Sequence, residues 1–368
     1  MRNYFSLLVS VLLLSVFLLA VSSTYAQIQT ADGKNINTHS LDRFIQSQMK
    51  SHDVPGLSFA LINNGKLVYH ASYGVQNTEN SEPVTDTTIF EAASISKSVF
   101  AGFAMMMVER GVLDLDTPLH TYLPEPLLEY DNRYKMITSR MVLSHMSGLP
   151  NWRFFNEDGQ LDIKFTPGTD FHYSGEGYEY LARVLAHIHG VDYHGLEQVI
   201  KEQLYTPLEM NNSGFRLSNE KLKVQKAVGY EDGIVSEGIP SDLARPYFGA
   251  AFRFHTTASD FSKWMIALME NRMIDRKTTD EMFRNQVVLP EDESLRTENG
   301  FDSWGLGVMR VDTPLGIKIA HGGMNPSFQG YYMMFKEEGF GIFGNSNTAI
   351  DIVPAVEEFL IHGSGNRD

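Results

Sequence analysis

Cysteine is absent from this 368-residue chain. Disulfide frameworks, thiolate zinc sites, iron–sulfur clusters, a cysteine nucleophile and a lipobox lipid anchor are excluded with it. Such a chain must rely on its core. With 43% hydrophobic and 11% aromatic residues it has enough for one large domain or two interlocked ones. Basic residues are scarce relative to acidic ones, 30 Lys plus Arg against 45 Asp plus Glu, for a formal charge of -15. That surface repels phosphate backbones, so no nucleic acid partner is expected, and solubility accounts for the charge. Several motifs are also missing: Gly-x-Ser-x-Gly, the phosphate-binding Gly-x-x-x-x-Gly-Lys-Ser/Thr loop and His-Glu-x-x-His. His187 and His189 lie two apart on a predicted helix and point different ways, so no metal and no cofactor are expected.

Only one apolar run approaches the length of a membrane span. After Arg2, an apolar stretch from Phe5 to Val21 leads to Thr24-Tyr25-Ala26, a small-residue cleavage site. Residues 1–26 therefore read as a signal peptide and the protein as exported, periplasmic or secreted. The alternative is a retained membrane anchor, since the run approaches the length of a spanning helix.

The remaining pattern alternates between sheet and helix. A helix is predicted from about Ser40 to Lys50. Gly56–Ile62 and Leu67–Tyr73 flank Asn63-Asn64-Gly65-Lys66 and predict a hairpin, because Asn-Gly adopts positive φ readily. From Ser96 to Val112 the chain is apolar on nearly every side, as a buried helix is, and Gly111 ends it. Residues 120–230 are patterned as helices broken by Pro and Gly, with an amphipathic helix over Tyr178–His189. Strand signals return at Gly305–Val311, Ile317–Ala320, Phe328–Phe335 and Gly339–Gly344, followed by a closing helix over Ile352–Ile361.

The chemistry begins at Ser94-Ile95-Ser96-Lys97. Positions i and i+3 of a helix share a face, so a hydroxyl and an amine can meet there. A serine at the first turn also sits among free N–H groups and the positive end of the helix dipole, and a partly desolvated lysine can lose its proton. Two further Ser-x-x-Lys copies, Ser47 to Lys50 and Ser218 to Lys221, lie in polar surroundings and read as surface. Only Ser94 opens a long buried helix directly after the β-like Ile89-Phe90, and catalysis needs a nucleophile on a rigid element.

Phe90-Glu-Ala-Ala-Ser94-Ile-Ser-Lys97-Ser resembles the active-site segment of class C serine β-lactamases. The same segment occurs in related D-alanyl-D-alanine carboxypeptidases, D-aminopeptidases and esterases. Leu143-Ser-His-Met-Ser-Gly-Leu-Pro150 resembles the family's loop before its second motif. The stretch from Phe165 to Tyr178, with Pro167-Gly168 leading to Tyr173-Ser-Gly175, resembles that motif, usually Tyr-x-Asn. Leu204–Met210 and His255–Asp260 match further. Trp304-Gly-Leu-Gly307 and His321-Gly322-Gly323 resemble the terminal strand and third motif. The likeness runs from about residue 40 to 360.

The resemblance implies roles. Ser94 becomes the nucleophile and Lys97 its proton-transfer partner. Tyr173 becomes a phenolate-like general base, its pKa lowered by flanking cations, Lys97 and His321. His321, Gly322 and Gly323 line the substrate strand, and the backbone N–H groups of Ser94 and Met324 form the oxyanion hole. A rival Tyr130-Asp131-Asn132 lacks the Pro-Gly approach and reads as surface. Two departures matter. Gly175 stands where the family's Asn amide helps bind substrate. His321 replaces lysine, so capture of a substrate carboxylate should weaken as pH rises.

The expected fold is α/β (α+β): a β-lactamase/transpeptidase-like antiparallel sheet flanked by helices, with an inserted mainly helical domain. The expected division is 27–119 with 231–368 for the sheet domain and 120–230 for the helical one. The expected function is a serine hydrolase acting on ester, amide or D-amino-acid peptide bonds. A true β-lactamase and a non-catalytic binding protein on the same fold are the alternatives. The expected partners are a small-molecule ester, β-lactam or peptide substrate, and the oligomeric state is left open.

Overall fold

The computed structural model describes residues 27–217, 220–236, 238 and 246–362; the expected signal peptide, 1–26, and Ser218 lie outside them. A first helix, α1 (Thr38–Ser51), is capped by the Asn37 side chain, which accepts the His39 N–H. It leads into β1 (Gly56–Asn63) and β2 (Lys66–Asn77), joined by the predicted turn. Asn64 and Gly65 there have φ of 51° and 69°. The left-handed values match the twist of the paired strands, which is why Asn-Gly marks the turn. Glu82–Pro83 (β3) completes this edge.

Helix α2 (Ser96–Glu109) follows, and Gly111 ends it with a φ of 69°. Helix α3 (Gly175–Ile188) begins three residues before its expected start. Ser174 caps it, its hydroxyl accepting from Gly177 N–H at 3.0 Å, and this cap outweighs the helix-weakening glycines at 175 and 177. Helix α4 (Ala258–Met269) is capped in the same way by Thr257.

The late strands are β4 (Val287–Val288), β5 (Ser303–Trp304), β6 (Met309–Thr313), β7 (Gly316–Asn325), β8 (Phe328–Phe335) and β9 (Phe340–Ser346). Helix α5 (Val353–His362) closes the described chain. Two strand expectations change. Gly305 to Gly307 form a bend rather than strand: a Cβ on Gly307, at φ of 79°, would stand 2.3 Å from Ala101 Cβ on α2. Strand β7 does not stop at Ala320 but runs through His321-Gly322-Gly323.

The nine strands form one antiparallel sheet in the order β4-β5-β6-β7-β8-β9-β1-β2-β3. Its centre joins chain ends, with Ser346 opposite Leu57 and Phe343 opposite Ala60. Because β1 is buried at every position, both faces must be covered. Leu57, Phe59 and Leu61 pack with Leu41 and Ile45 of α1 and Val356 and Leu360 of α5. Ala60 and Ile62 turn the opposite way, toward α2 and toward Phe261 and Trp264 of α4. That second cluster runs without a break from the sheet through α2 into Leu119, Leu149, Leu181 and Phe215 of the helix-rich middle of the chain. Among the described residues, no helix is long and apolar enough to cross a membrane.

Candidate active site

Ser94 sits in a turn that the structure clamps from several sides. Phe90 and Glu91 pair with Thr256 and His255, and Ala93–Ile95 make one tight turn before α2 begins. Ala93 holds a φ of 46°, unusual for a residue with a Cβ. The fully buried Ser96 fastens the turn: its hydroxyl donates to Ala93 O and accepts from Phe254 N–H at 2.8 Å. Strained backbone of this kind persists only where its surroundings over-determine it, and it presents the Ser94 hydroxyl at a fixed angle.

Lys97 is 1% exposed. Its Nζ donates to Ser94 Oγ at 3.2 Å and to Ala251 O at 2.8 Å, and lies 4.5 Å from the centre of the Tyr173 ring. Burial disfavours the ammonium and brings the pKa down to about 7, while the nearby Glu179 carboxyl resists. Glu179, on α3, is itself buried. Its carboxyl accepts from Gly249 N–H at 3.1 Å and from Ala251 N–H at 3.3 Å, so it holds the loop whose carbonyl holds Lys97. Desolvation raises its own pKa to about 7.

Tyr173 stands beside this pair, and the phenolate expected for it is not what its surroundings favour. Burial pushes its pKa above the ordinary tyrosine range; a hydrogen bond with Ser94 acts in the opposite sense but does not offset burial. The ring is fixed by His145, centroid to centroid 4.4 Å, and by Trp304 at 5.8 Å. His145 is fully buried, and its Nδ1 accepts from Ser174 N–H at 3.0 Å. A backbone N–H can only donate, so the neutral tautomer of His145 carries its proton on Nε2.

His321 also departs from its expected role. It is 2% exposed, and burial beside Lys97 drives its pKa down to about 3. It is therefore neutral across the working pH range and neither lowers the Tyr173 pKa nor pairs with a carboxylate. In the neutral ring Nδ1 donates to Gly322 O. Gly323 has a clear steric reason: a Cβ there would lie 2.3 Å from Ala92 O and 3.0 Å from Ser94 N. Strand β7 thus presses directly on the Ser94 turn. Gly322 is not so constrained, its nearest neighbour being Tyr331 at 4.0 Å. Pairing of β7 with β6 ends at Ala320, so beyond His321 the strand has an edge facing the cleft, and Met324 there is 66% exposed.

Gly175 opens α3 against Trp152, whose ring would stand 2.6 Å from a Cβ at that position. Its N–H donates to Asn151 O at 3.0 Å and to Asn151 Oδ1 at 3.1 Å. Ser94, Lys97, Asn151 and Met324 line one cleft of about 660 Å³, walled by Trp152, Phe154, Phe155, Tyr247 and Phe252. The charged residues among the described lining are Lys97 and Glu231. No group of His, Cys, Asp and Glu able to hold a metal occurs among the described residues.

Ser94, Lys97, Tyr173, His321, Gly323, Met324 and Gly175 thus converge on one place. The competing motifs do not: Ser47 and Lys50 are exposed on α1, and Tyr130 is 63% exposed, donating to Leu161 O. Sequence alone assigned no part to His145, Asn151 or Glu179. His145 lies inside a recognised loop and Asn151 directly follows it. Glu179 could have been noticed as a charge within an otherwise apolar stretch of α3.

A family model described as Beta-lactamase matches residues 41–360. Protein flp of Staphylococcus aureus (strain N315) is 22% identical over 348 residues, covering 89% of this chain and 66% of that protein. The chain therefore spans about two thirds of the length of that relative. A putative penicillin-binding protein, PbpX, of Bacillus subtilis (strain 168) is 27% identical over 263 residues, covering 68% of this chain and 64% of that protein. Among solved structures, an octameric penicillin-binding protein homologue from Pyrococcus abyssi superposes with a TM-score of 0.72. It is 24% identical, with 88% of this chain and 76% of that chain covered, a likeness of fold.

Proposed function

Because the chain belongs to the Beta-lactamase family, a superfamily of serine hydrolases, we propose that it is an exported hydrolase that cleaves uncharged ester or amide bonds through an acyl-enzyme on Ser94. The observation that carries this reading is the buried Lys97 amine, 3.2 Å from Ser94 Oγ and with a pKa near 7. An amine half-deprotonated at neutral pH and already hydrogen-bonded to the hydroxyl is a general base in position. Lys97 takes the Ser94 proton as Oγ attacks the substrate carbonyl. Tyr173, kept a neutral phenol by its burial, relays a proton to the departing oxygen or nitrogen. Water then releases the acyl group by the reverse proton path.

The oxyanion that develops is received by the N–H groups of Ser94 and Met324, a reading supported by the close packing of Gly323, the neighbour of Met324, against Ser94 N. An aromatic wall favours apolar groups on the substrate. The neutral His321 gives a substrate carboxylate nothing to pair with, which argues against efficient β-lactam hydrolysis. Uncharged D-amino-acid peptide bonds remain within the proposed range. Export rests on the charged, then apolar, then small-residue pattern of residues 1–26. Sequencing the mature N-terminus is expected to find Gln27 first, and a chain that still begins at Met1 overturns export by cleavage.

The activity is tested with p-nitrophenyl butyrate beside nitrocefin. The expected result is ester turnover that falls by at least about 10⁴-fold in Ser94→Ala, with little nitrocefin cleavage. Rapid nitrocefin cleavage overturns the substrate assignment. Absence of turnover together with failure of a fluorophosphonate to label Ser94 overturns the hydrolase reading in favour of a binding protein.

A further inference from the structure

We infer that Glu91 is a positioning residue for the oxyanion hole: its carboxylate ties the end of β7 to the Ser94 turn and so fixes the Met324 N–H relative to that of Ser94. The inference rests on the hydrolase reading and adds to it a residue, outside the cleft wall, on which the catalytic geometry depends.

Glu91 lies just ahead of Ser94 in the chain and does not line the cleft. Its backbone is fixed first. It pairs with His255, and its carbonyl accepts from Asn345 Nδ2 on β9 at 3.0 Å. The carboxylate then reaches in two directions. One oxygen accepts from Lys226 Nζ, and the other accepts from Asn325 Nδ2 at 2.7 Å. Lys226 stands there because its segment runs beside Ile89: Ile89 N–H donates to Gln225 O and Ala227 N–H to Ile89 O, both at 2.9 Å. Burial by itself would raise the Glu91 pKa, but the charge of Lys226 and the bonds from Lys226 and Asn325 outweigh it and hold the carboxyl below its ordinary value. Glu91 is therefore an anion at neutral pH, and its bond to the Asn325 amide is charge-assisted.

What this bond does follows from its place on β7. Side chains alternate along a strand, so Gly323 and Asn325 face one way and Met324 the other. Gly323 is pressed against the turn, with no room for a Cβ beside Ala92 O and Ser94 N. Asn325 is bonded through Glu91 to the segment that leads into the same turn. Met324 thus lies between two points at which β7 is fastened to the chain that carries Ser94. Its own side chain is 66% exposed and offers little packing. Pairing with β8 continues along one edge, but pairing with β6 has ended at Ala320. The two flanking contacts therefore set where the Met324 N–H stands. An oxyanion donor displaced by a fraction of an ångström loses transition-state stabilisation while ground-state binding is spared.

Two variants test the tie. Asn325→Leu removes the amide at similar size, and Glu91→Met removes the carboxylate from a residue outside the cleft wall. Active sites are counted by fluorophosphonate labelling of Ser94 taken to completion, and rates for p-nitrophenyl butyrate are expressed per labelled site. Each variant is expected to lower kcat by about 10- to 100-fold, with KM within about twofold of wild type. Phenylboronic acid forms a tetrahedral adduct with a serine hydroxyl that resembles the transition state, and its Ki is expected to rise by about the same factor. The double variant is expected to lose about as much as the more damaged single one, because both changes break one link. A per-site kcat within about twofold of wild type overturns the role of Glu91 and leaves the hydrolase reading standing. So does a fall in kcat with an unchanged Ki, and so do losses that multiply in the double variant. If Glu91→Met does not fold, kcat and Ki of Asn325→Leu decide alone. Absence of both turnover and labelling in the wild type overturns both readings together.

Discussion

At Lys97 one amine meets two demands: it must be free of its proton at neutral pH, and it must stay beside Ser94 Oγ. Desolvation meets the first, and the bonds to Ser94 and Ala251 meet the second. If the neutral amine is the base, kcat/KM for p-nitrophenyl butyrate declines as pH drops below about 7, approaching about tenfold per pH unit. Glu179 raises the Lys97 pKa by its charge, so Glu179→Gln lets that pKa fall further. The acid limb of the pH–rate profile is then expected to move to lower pH. A limb that stays put or moves upward breaks the link between the two residues. Tyr173→Phe keeps the ring against His145 and Trp304 but loses the hydroxyl, and is expected to cost about 10²–10⁴-fold in kcat.

At the scale of elements, the site is a collision managed by glycine. Strand β7 meets the turn ahead of α2 so closely that Gly323 has no room for a methyl group, whereas Gly322 has. Gly323→Ala is expected to destabilise the fold by about 1–3 kcal/mol, read from urea unfolding, because Ala92 O is backbone and cannot swing aside. Gly322→Ala is expected to stay within about 1 kcal/mol of wild type, since an added methyl meets only ordinary contact. Equal losses in the two variants would show that β7 does not press on the turn.

For the whole molecule, the continuous cluster matters more than any division of the chain. Phe261 of α4 stacks on Phe343 of β9, centroids 4.2 Å apart, and also faces Trp264 and Tyr332. Through α2 this layer connects to the helix-rich middle segment. Phe261→Ala is expected to cost about 3–5 kcal/mol. Because the core is shared, tryptophan fluorescence and far-ultraviolet circular dichroism are expected to report one coincident unfolding transition. Separate transitions by the two probes would mean that the middle segment unfolds on its own.

Much of this protein was legible along the chain because local chemistry dictated it. The Asn64-Gly65 turn needs only two residues that accept positive φ. The meeting of Ser94 and Lys97 needs only a spacing of three at the mouth of a helix. The apolar run over α2 announces burial by itself. The rest depended on which distant segments are brought together. Sequence permitted a cationic His321 and a phenolate at Tyr173, and burial among α2, α3 and β7 reversed both. Likewise Gly175 read as a missing amide until the loop at Asn151 and Trp152 was seen to occupy its space. Spacing determines which groups can meet on one helix; desolvation and steric exclusion belong to the assembled fold, and they decide which groups carry charge and which face the cleft.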